Sequence, residues 1–213
     1  MGNSLWIWER RLAGQGFRLI AGVDEAGRGP LAGPLLAASV ILPAPAGRLR
    51  LEGLADSKAL SPRKRLQLFS AICEVAVALG VGIVEPETID RINVLRATWL
   101  AMERAVLQLS PSPEFVLIDG NSGPRLPFRH HLLTRGDSRS ASIAAASIVA
   151  KVVRDRLMED LDSAYPGYGF ARNKGYGTSE HRARLRELGP SPAHRRSFSP
   201  VLELLSGQSS LSL

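Results

Sequence analysis

The run Ile20-Ala21-Gly22-Val23-Asp24-Glu25-Ala26-Gly27-Arg28-Gly29-Pro30 constrains the fold more than any other stretch of the chain. Two adjacent acids end an apolar segment, and a glycine-arginine-glycine turn follows at once. Buried carboxylates are costly unless a cation pairs with them. Two of them at the end of a buried strand therefore suggest a cation site. Gly27 and Gly29 carry no side chain, so another group can approach the backbone closely there. A turn with exposed acids is the alternative reading of the same residues.

Residues 19–26 and 35–42 read as strands, joined by a glycine- and proline-rich loop and closed by Pro43 and Pro45. Their unbroken apolar runs suit strands buried on both faces. Ser61-Pro62 starts a helix, with serine as N-cap and proline in the first turn. Leu66, Phe69, Cys73 and Ala76 follow at helical spacing, which puts Cys73 in the core. Strands are expected at 81–84, 115–118 and 131–135, and a short helix at 86–92. Longer helices are expected at 95–109 and 140–161, the latter burying Ile143, Ala146, Ala150, Val153, Leu157 and Leu161. The tail from Tyr165 is irregular and basic, with a helix at 179–188. The pattern is α/β, with a core over 1–160 and a basic helical extension over 161–213.

Acids recur where strands end. Asp24 and Glu25 close the first strand, Asp119 closes the 115–118 strand, and Asp137 follows the 131–135 segment. Ligands gather at strand ends in α/β sheets. A set of oxygen ligands without Cys or His suits Mg2+ or Mn2+. Two such ions about 4 Å apart can activate water and stabilise a leaving oxygen in phosphoryl transfer. Each acid also has a local alternative: Asp119 as a turn former, Asp137 as a helix N-cap. Neighbouring strand residues point to opposite faces, so Asp24 and Glu25 share a site only where the strand twists or ends.

The chain of 213 residues carries a net charge of +7. Between Arg172 and Arg196, seven Lys or Arg stand against two Glu, so most of the surplus lies there. Such a face suits a polyanion, either nucleic acid or an anionic membrane surface. Within it, Lys174-Gly175-Tyr176 fits a lysine near phosphate and a tyrosine stacked on a sugar or base, or a turn with the tyrosine packed inward. Asp56-Ser57-Lys58 is a further polar cluster, where Lys58 could reach a phosphate. The single cysteine excludes a disulfide within the chain and suits a reducing compartment. No stretch reaches the roughly 18 apolar residues of a spanning helix. Glu9-Arg10-Arg11 follows the N-terminal tryptophans, the reverse of a secretory signal, so a cytoplasmic protein is expected.

Seven motifs, in order from about residue 20 to 201, resemble ribonuclease HII. They are Val23 to Pro30, Asp56-Ser57-Lys58, Ile118 to Asn121, Gly136-Asp137-Ser138, Ala144 to Lys151, Lys174-Gly175-Tyr176 and His194 to Phe198. The resemblance implies the ribonuclease H fold, a mixed five-stranded sheet flanked by helices. It implies cleavage of RNA in RNA–DNA hybrids and incision 5′ of single ribonucleotides in duplex DNA, leaving 3′-hydroxyl and 5′-phosphate ends. It implies Asp24, Glu25, Asp119 and Asp137 as ligands of Mg2+ or Mn2+. It further implies Gly27, Arg28 and Gly29 as readers of the 2′-hydroxyl, and Tyr176 as the residue that stacks at the RNA–DNA junction. The expected form is the bacterial one, a self-contained monomer.

Overall fold

Unbroken aliphatic runs bury the central strands, and the sheet grows outward from the first of them. The computed structural model describes residues 5–43, 51, 53–54 and 60–209. Its strands are β1 (Ile20–Ala26), β2 (Leu35–Ile41), β3 (Ala78–Val84), β4 (Phe115–Asp119) and β5 (Arg129–Leu133). Their spatial order is β3-β2-β1-β4-β5. β1 and β2 are antiparallel, whereas β1–β4 and β4–β5 are parallel. Parallel pairs need a crossover: β2, β3 and three helices lie between β1 and β4, whereas residues 120–128 join β4 to β5 without a helix.

The helices are α1 (Ile7–Gly14), α2 (Pro62–Val75), α3 (Pro86–Ile92), α4 (Val94–Leu107), α5 (Ala141–Ala164), α6 (Phe170–Asn173), α7 (Ser179–Leu188) and α8 (Val201–Ser209). Ser61 caps α2 as its sequence suggests, its hydroxyl accepting from the Lys64 amide at 3.3 Å. The face that α2 buries differs from the expected one. Leu68 and Ile72, four residues apart, are buried, while Leu66 and Cys73 are exposed. β3 begins at Ala78, ahead of Val81, and β5 lies two residues earlier than the 131–135 segment.

The described residues divide into two compact units, one drawn from 1–26, 36–83 and 99–152 and the other from 27–35, 84–98 and 153–213. The sequence placed a single boundary after residue 160. The second unit takes in 27–35 because backbone bonds tie that segment to distant chain. Leu31 N–H donates to the Gly175 carbonyl, Gly33 N–H to Ala193, and Arg195 N–H to Leu31, each at 2.8 Å.

In the first unit Leu12, Ile20, Leu117, Leu133 and Ile143 form a core cluster, with Trp8, Phe17 and Phe115 against it. The start of α5 presses directly on β1. A Cβ at Gly22 would lie 2.1 Å from both the Ile143 nitrogen and the Ser142 carbonyl carbon. Ser140 caps this helix, its hydroxyl accepting from Ile143 N–H at 3.2 Å. Asp137, the alternative cap, lies instead in a 3₁₀ turn, Gly136–Ser138. Buried Glu9 of α1 also serves the helix start, accepting from Ser140 Oγ at 2.6 Å and from Ser142 N–H at 2.9 Å. A carboxylate suits the positive end of a helix.

In the second unit Ala32, Met158, Tyr168, Phe170 and Ala193 cluster, and Leu31, Leu185 and Val201 form another group. The later turns of α5 bury Arg154 and Met158, while Val153, Leu157 and Leu161 are only half-buried.

Gly22→Ala should destabilise the protein by about 1–3 kcal/mol, because the extra methyl meets helix backbone. Urea unfolding of the two proteins measures this. Equal midpoints would show that α5 does not rest on β1 as described.

Candidate active site

Register decides which acids meet. In the parallel pair Val23 lies beside Ile118, so the next residues, Asp24 and Asp119, leave the sheet at the same edge. Asp119 in turn lies beside Leu133 of β5. Asp119 Oδ1 accepts the Gly136 amide at 2.6 Å, which fixes the turn that carries buried Asp137. Asp24 is 7% exposed, and its Oδ1 accepts the Glu25 amide at 2.7 Å. A hydrogen bond from Ser147 on α5 also reaches its carboxyl.

The electrostatics follow from this crowding. Burial holds the Asp24 carboxyl well above the ordinary range, and the charges of Glu25 and Asp119 push it further the same way. The two hydrogen bonds offset only part of this. Asp24, Glu25 and Asp119 are therefore within electrostatic reach of one another, with Asp137 one residue beyond the amide that Asp119 binds. Among the described residues no three Asp, Glu, His or Cys side chains are set to grip one ion. The donor chemistry nonetheless fits a hard divalent cation. All four groups offer carboxylate oxygens, and a cation would relieve the repulsion that raises Asp24.

The glycine-arginine-glycine turn belongs to the second unit and is held by a different device. Gly27 has φ +93°, and a Cβ there would lie 2.1 Å from Arg154 Nε. The fully buried Arg195 donates to the carbonyls of Gly27 (2.6 Å), Arg28 (3.0 Å) and Gly33 (2.9 and 3.1 Å). Arg154 donates to the carbonyls of Pro34 (3.1 Å), Lys174 (3.0 Å) and Ala32 (3.3 Å). Burial lowers both guanidinium pKa values, that of Arg195 to about 9, with Arg154 adding to the effect. By sequence Arg195 belongs to the basic surplus suited to a polyanion. It is a carbonyl clamp inside the protein instead.

Arg28 and Gly29 are exposed. Tyr176 is 47% exposed, and a Cβ at Gly29 would lie 3.9 Å from its ring. The inward-packed alternative for Tyr176 is thereby excluded. Lys174 donates from Nζ to Glu159 Oε1 at 2.8 Å and to the Asp155 carbonyl at 3.2 Å. Asp56, Ser57 and Lys58 lie outside the described residues. Sequence reasoning assigned no role to Ser147, Arg154, His181 or His194. Arg154 left a trace: Ala150, Arg154 and Met158 share a helical spacing of four, and a charge on a buried stripe needs internal partners.

The ribonuclease HII family model matches residues 21–201. The chain belongs to the ribonuclease HII family. It is 52% identical over 202 residues to ribonuclease HII of Geobacter sulfurreducens, covering 95% of this chain and 92% of that one. It is 57% identical over 208 residues to ribonuclease HII of Geobacillus thermodenitrificans, covering 97% and 78%. The fold is similar to that of the ribonuclease H2 from Pyrococcus horikoshii OT3, with a TM-score of 0.74, 28% identity, and 88% and 97% of the two chains covered. As a ribonuclease HII family member the chain is a hydrolase, an endonuclease that degrades the RNA of RNA–DNA hybrids. Its mixed five-stranded sheet with flanking helices is the ribonuclease H-like fold. Among the described residues no helix is long and apolar enough to cross a membrane.

Asp24→Asn should raise the melting temperature in EDTA by about 2–4 °C, the effect of removing about 1 kcal/mol of repulsion in a chain of this size. Added Mg2+ should shrink that difference by stabilising the wild type. A lower melting temperature for the variant in EDTA would contradict the account of Asp24.

Proposed function

We propose that this ribonuclease HII family member cleaves the RNA strand of hybrids and also incises 5′ of a single ribonucleotide embedded in duplex DNA. Water adds to the phosphorus, the bond to the 3′-oxygen breaks, and that oxygen takes up a proton. The products are a 3′-hydroxyl and a 5′-phosphate. Asp24, Glu25, Asp119 and Asp137 are assigned as the ligands of two Mg2+ or Mn2+ ions. When bound, such ions supply activation of the attacking water and neutralise charge on the departing oxygen.

The chain's own residues position the substrate. Gly27, Arg28 and Gly29 are assigned to the 2′-hydroxyl, the group that separates RNA from DNA. They follow Glu25 within four residues of continuous chain. Tyr176 stacks on the sugar at the RNA–DNA junction. The observation that carries this finer reading is the exposed Tyr176 ring beside Gly29. Lys174 is assigned to a phosphate by exchanging Glu159 for a phosphate oxygen, and Lys58 on sequence alone. Exposed Arg172, Arg182, Arg184 and Arg186 suit the duplex backbone, so binding weakens as salt rises. The reading includes a monomer, and the single cysteine suits action in the reducing cytoplasm.

Two rivals make opposite predictions. A DNA-only nuclease on this fold would cut an all-DNA duplex as fast as one with a ribonucleotide. A non-catalytic binder would leave both intact, and four acids at strand ends are poorly suited to holding a polyanion.

A labelled duplex with one ribonucleotide, incubated with Mg2+, Mn2+ or EDTA, tests the reading. The expected result is metal-dependent incision immediately 5′ of the ribonucleotide. Tyr176→Ala should lower that incision about tenfold more than it lowers cleavage within a long hybrid, in line with a lost stacking contact. Equal losses on the two substrates would remove Tyr176 from the junction.

A further inference from the structure

Beneath the loop that carries Tyr176 lie two histidines in contact, His181 of α7 and His194, exposed by 0% and 2%. Their Nε2 atoms are 3.1 Å apart. The Ser191 amide lies 3.0 Å and the Ser191 hydroxyl, which can donate as well, 2.9 Å from His194 Nδ1. A backbone N–H can only donate, so His194 Nδ1 is an acceptor and the neutral ring carries its proton on Nε2. That proton points at His181 Nε2, which must accept it. The neutral His181 ring therefore carries its proton on Nδ1, and Nδ1 lies 2.9 Å from the Tyr176 carbonyl. Each step forces the next, so the chain runs one way, from the Ser191 amide to the Tyr176 peptide.

The surroundings disfavour charge on either ring. Phe170 meets His181 edge-on at 5.4 Å, and Tyr168 meets His194 at 4.9 Å. Burial lowers the pKa of both histidines, that of His194 to about 4, with His181 adding to the effect. The Tyr176 carbonyl also accepts the Thr178 amide at 2.8 Å. Its peptide is thus held by two donors from beneath, while its ring stands half-exposed beside Gly29.

We propose that the Ser191–His194–His181 chain is a positioning relay that sets Tyr176 against Gly29 and thereby sets discrimination at the ribonucleotide junction. This rests on the reading of Tyr176 as the junction-stacking residue. Filling the space alone would favour apolar side chains, because buried polar groups cost free energy unless every one is satisfied. Here the ring nitrogens are satisfied in one order, and that order ends on the residue after Gly175. His181 touches no substrate and acts through Tyr176, so it is a positioning residue.

Two variants of His181 separate the halves of the relay. In His181→Asn the side-chain amide nitrogen stands where Nδ1 stood and can still donate to Tyr176. In His181→Gln the amide stands where Nε2 stood, so the link to His194 survives and the link to Tyr176 is lost. The readout is the ratio of single-ribonucleotide incision to long-hybrid cleavage. His181→Gln should lower this ratio about fivefold, the worth of one hydrogen bond, while His181→Asn should stay within about twofold of wild type. A merely structural role would lower both activities together in both variants and leave the ratio unmoved, which would overturn the relay.

Tyr176→Ala, measured alongside, keeps the two claims apart. A ratio lowered in Tyr176→Ala but not in His181→Gln overturns the relay. A ratio unmoved in both overturns the reading of Tyr176. Nitrogen-15 NMR of the wild-type histidines tests the relay without any variant. A protonated Nδ1 on His181 together with a protonated Nε2 on His194 supports it, and any other pair of tautomers overturns it.

Discussion

The crowding of carboxyl groups around buried Asp24 at one sheet edge is the constraint on which the rest of the structure depends. Parallel pairing of β1 with β4 delivers Asp24 and Asp119 to that edge, and the Gly136 amide draws in the turn of Asp137. A fold left to itself would avoid such an arrangement, because Asp24 is desolvated and faces the charges of Glu25 and Asp119. The scaffold responds with neutral donors: the Glu25 amide, the Gly136 amide and Ser147. These orient the groups without cancelling their charge. The first unit is thus stressed where a hard cation would bring relief, which is a common arrangement for a site that trades stability for chemistry.

The second unit handles buried charge in the opposite sense. Arg154 and Arg195 are taken out of water, and their donors end on backbone carbonyls of the segments 27–34 and 174. A guanidinium is suited to this because its planar fork can satisfy several carbonyls at once. Net positive charge in this segment therefore divides into two populations. Exposed arginines on α7 are available to phosphate, whereas Arg154 and Arg195 shape the turn and loop assigned to reading the substrate.

Much of this was legible in the sequence. Strands of continuous apolar residues, the Ser61-Pro62 helix start and the acids at strand ends carry local signals, and the motif order carried the family. The errors have physical causes. Cys73 was assigned to the core because Leu66, Phe69 and Cys73 share a helical spacing, yet Leu68 and Ile72 share one equally well. Only the position of α2 on its neighbours decides between them. α1 escaped notice because its role is tertiary: Glu9 caps a helix that begins more than a hundred residues later. Arg195 reads as surface charge and His194 carries no sequence signal of its role, because their partners are carbonyls and another ring, which composition cannot reveal. The grouping of segments 27–35 and 84–98 with residues 153–213 in one compact unit is a long-range property that no local signal in the sequence carries.

The central claim is that the strand-end carboxylates form a divalent-cation site with Asp24 at its centre. The most direct measurement is the electron paramagnetic resonance signal of free Mn2+ during titration into the wild type and Asp24→Asn. The account predicts Mn2+ uptake by the wild type, and affinity weakened by at least about tenfold in the variant. Equal uptake by both proteins, or none by the folded wild type, would contradict it.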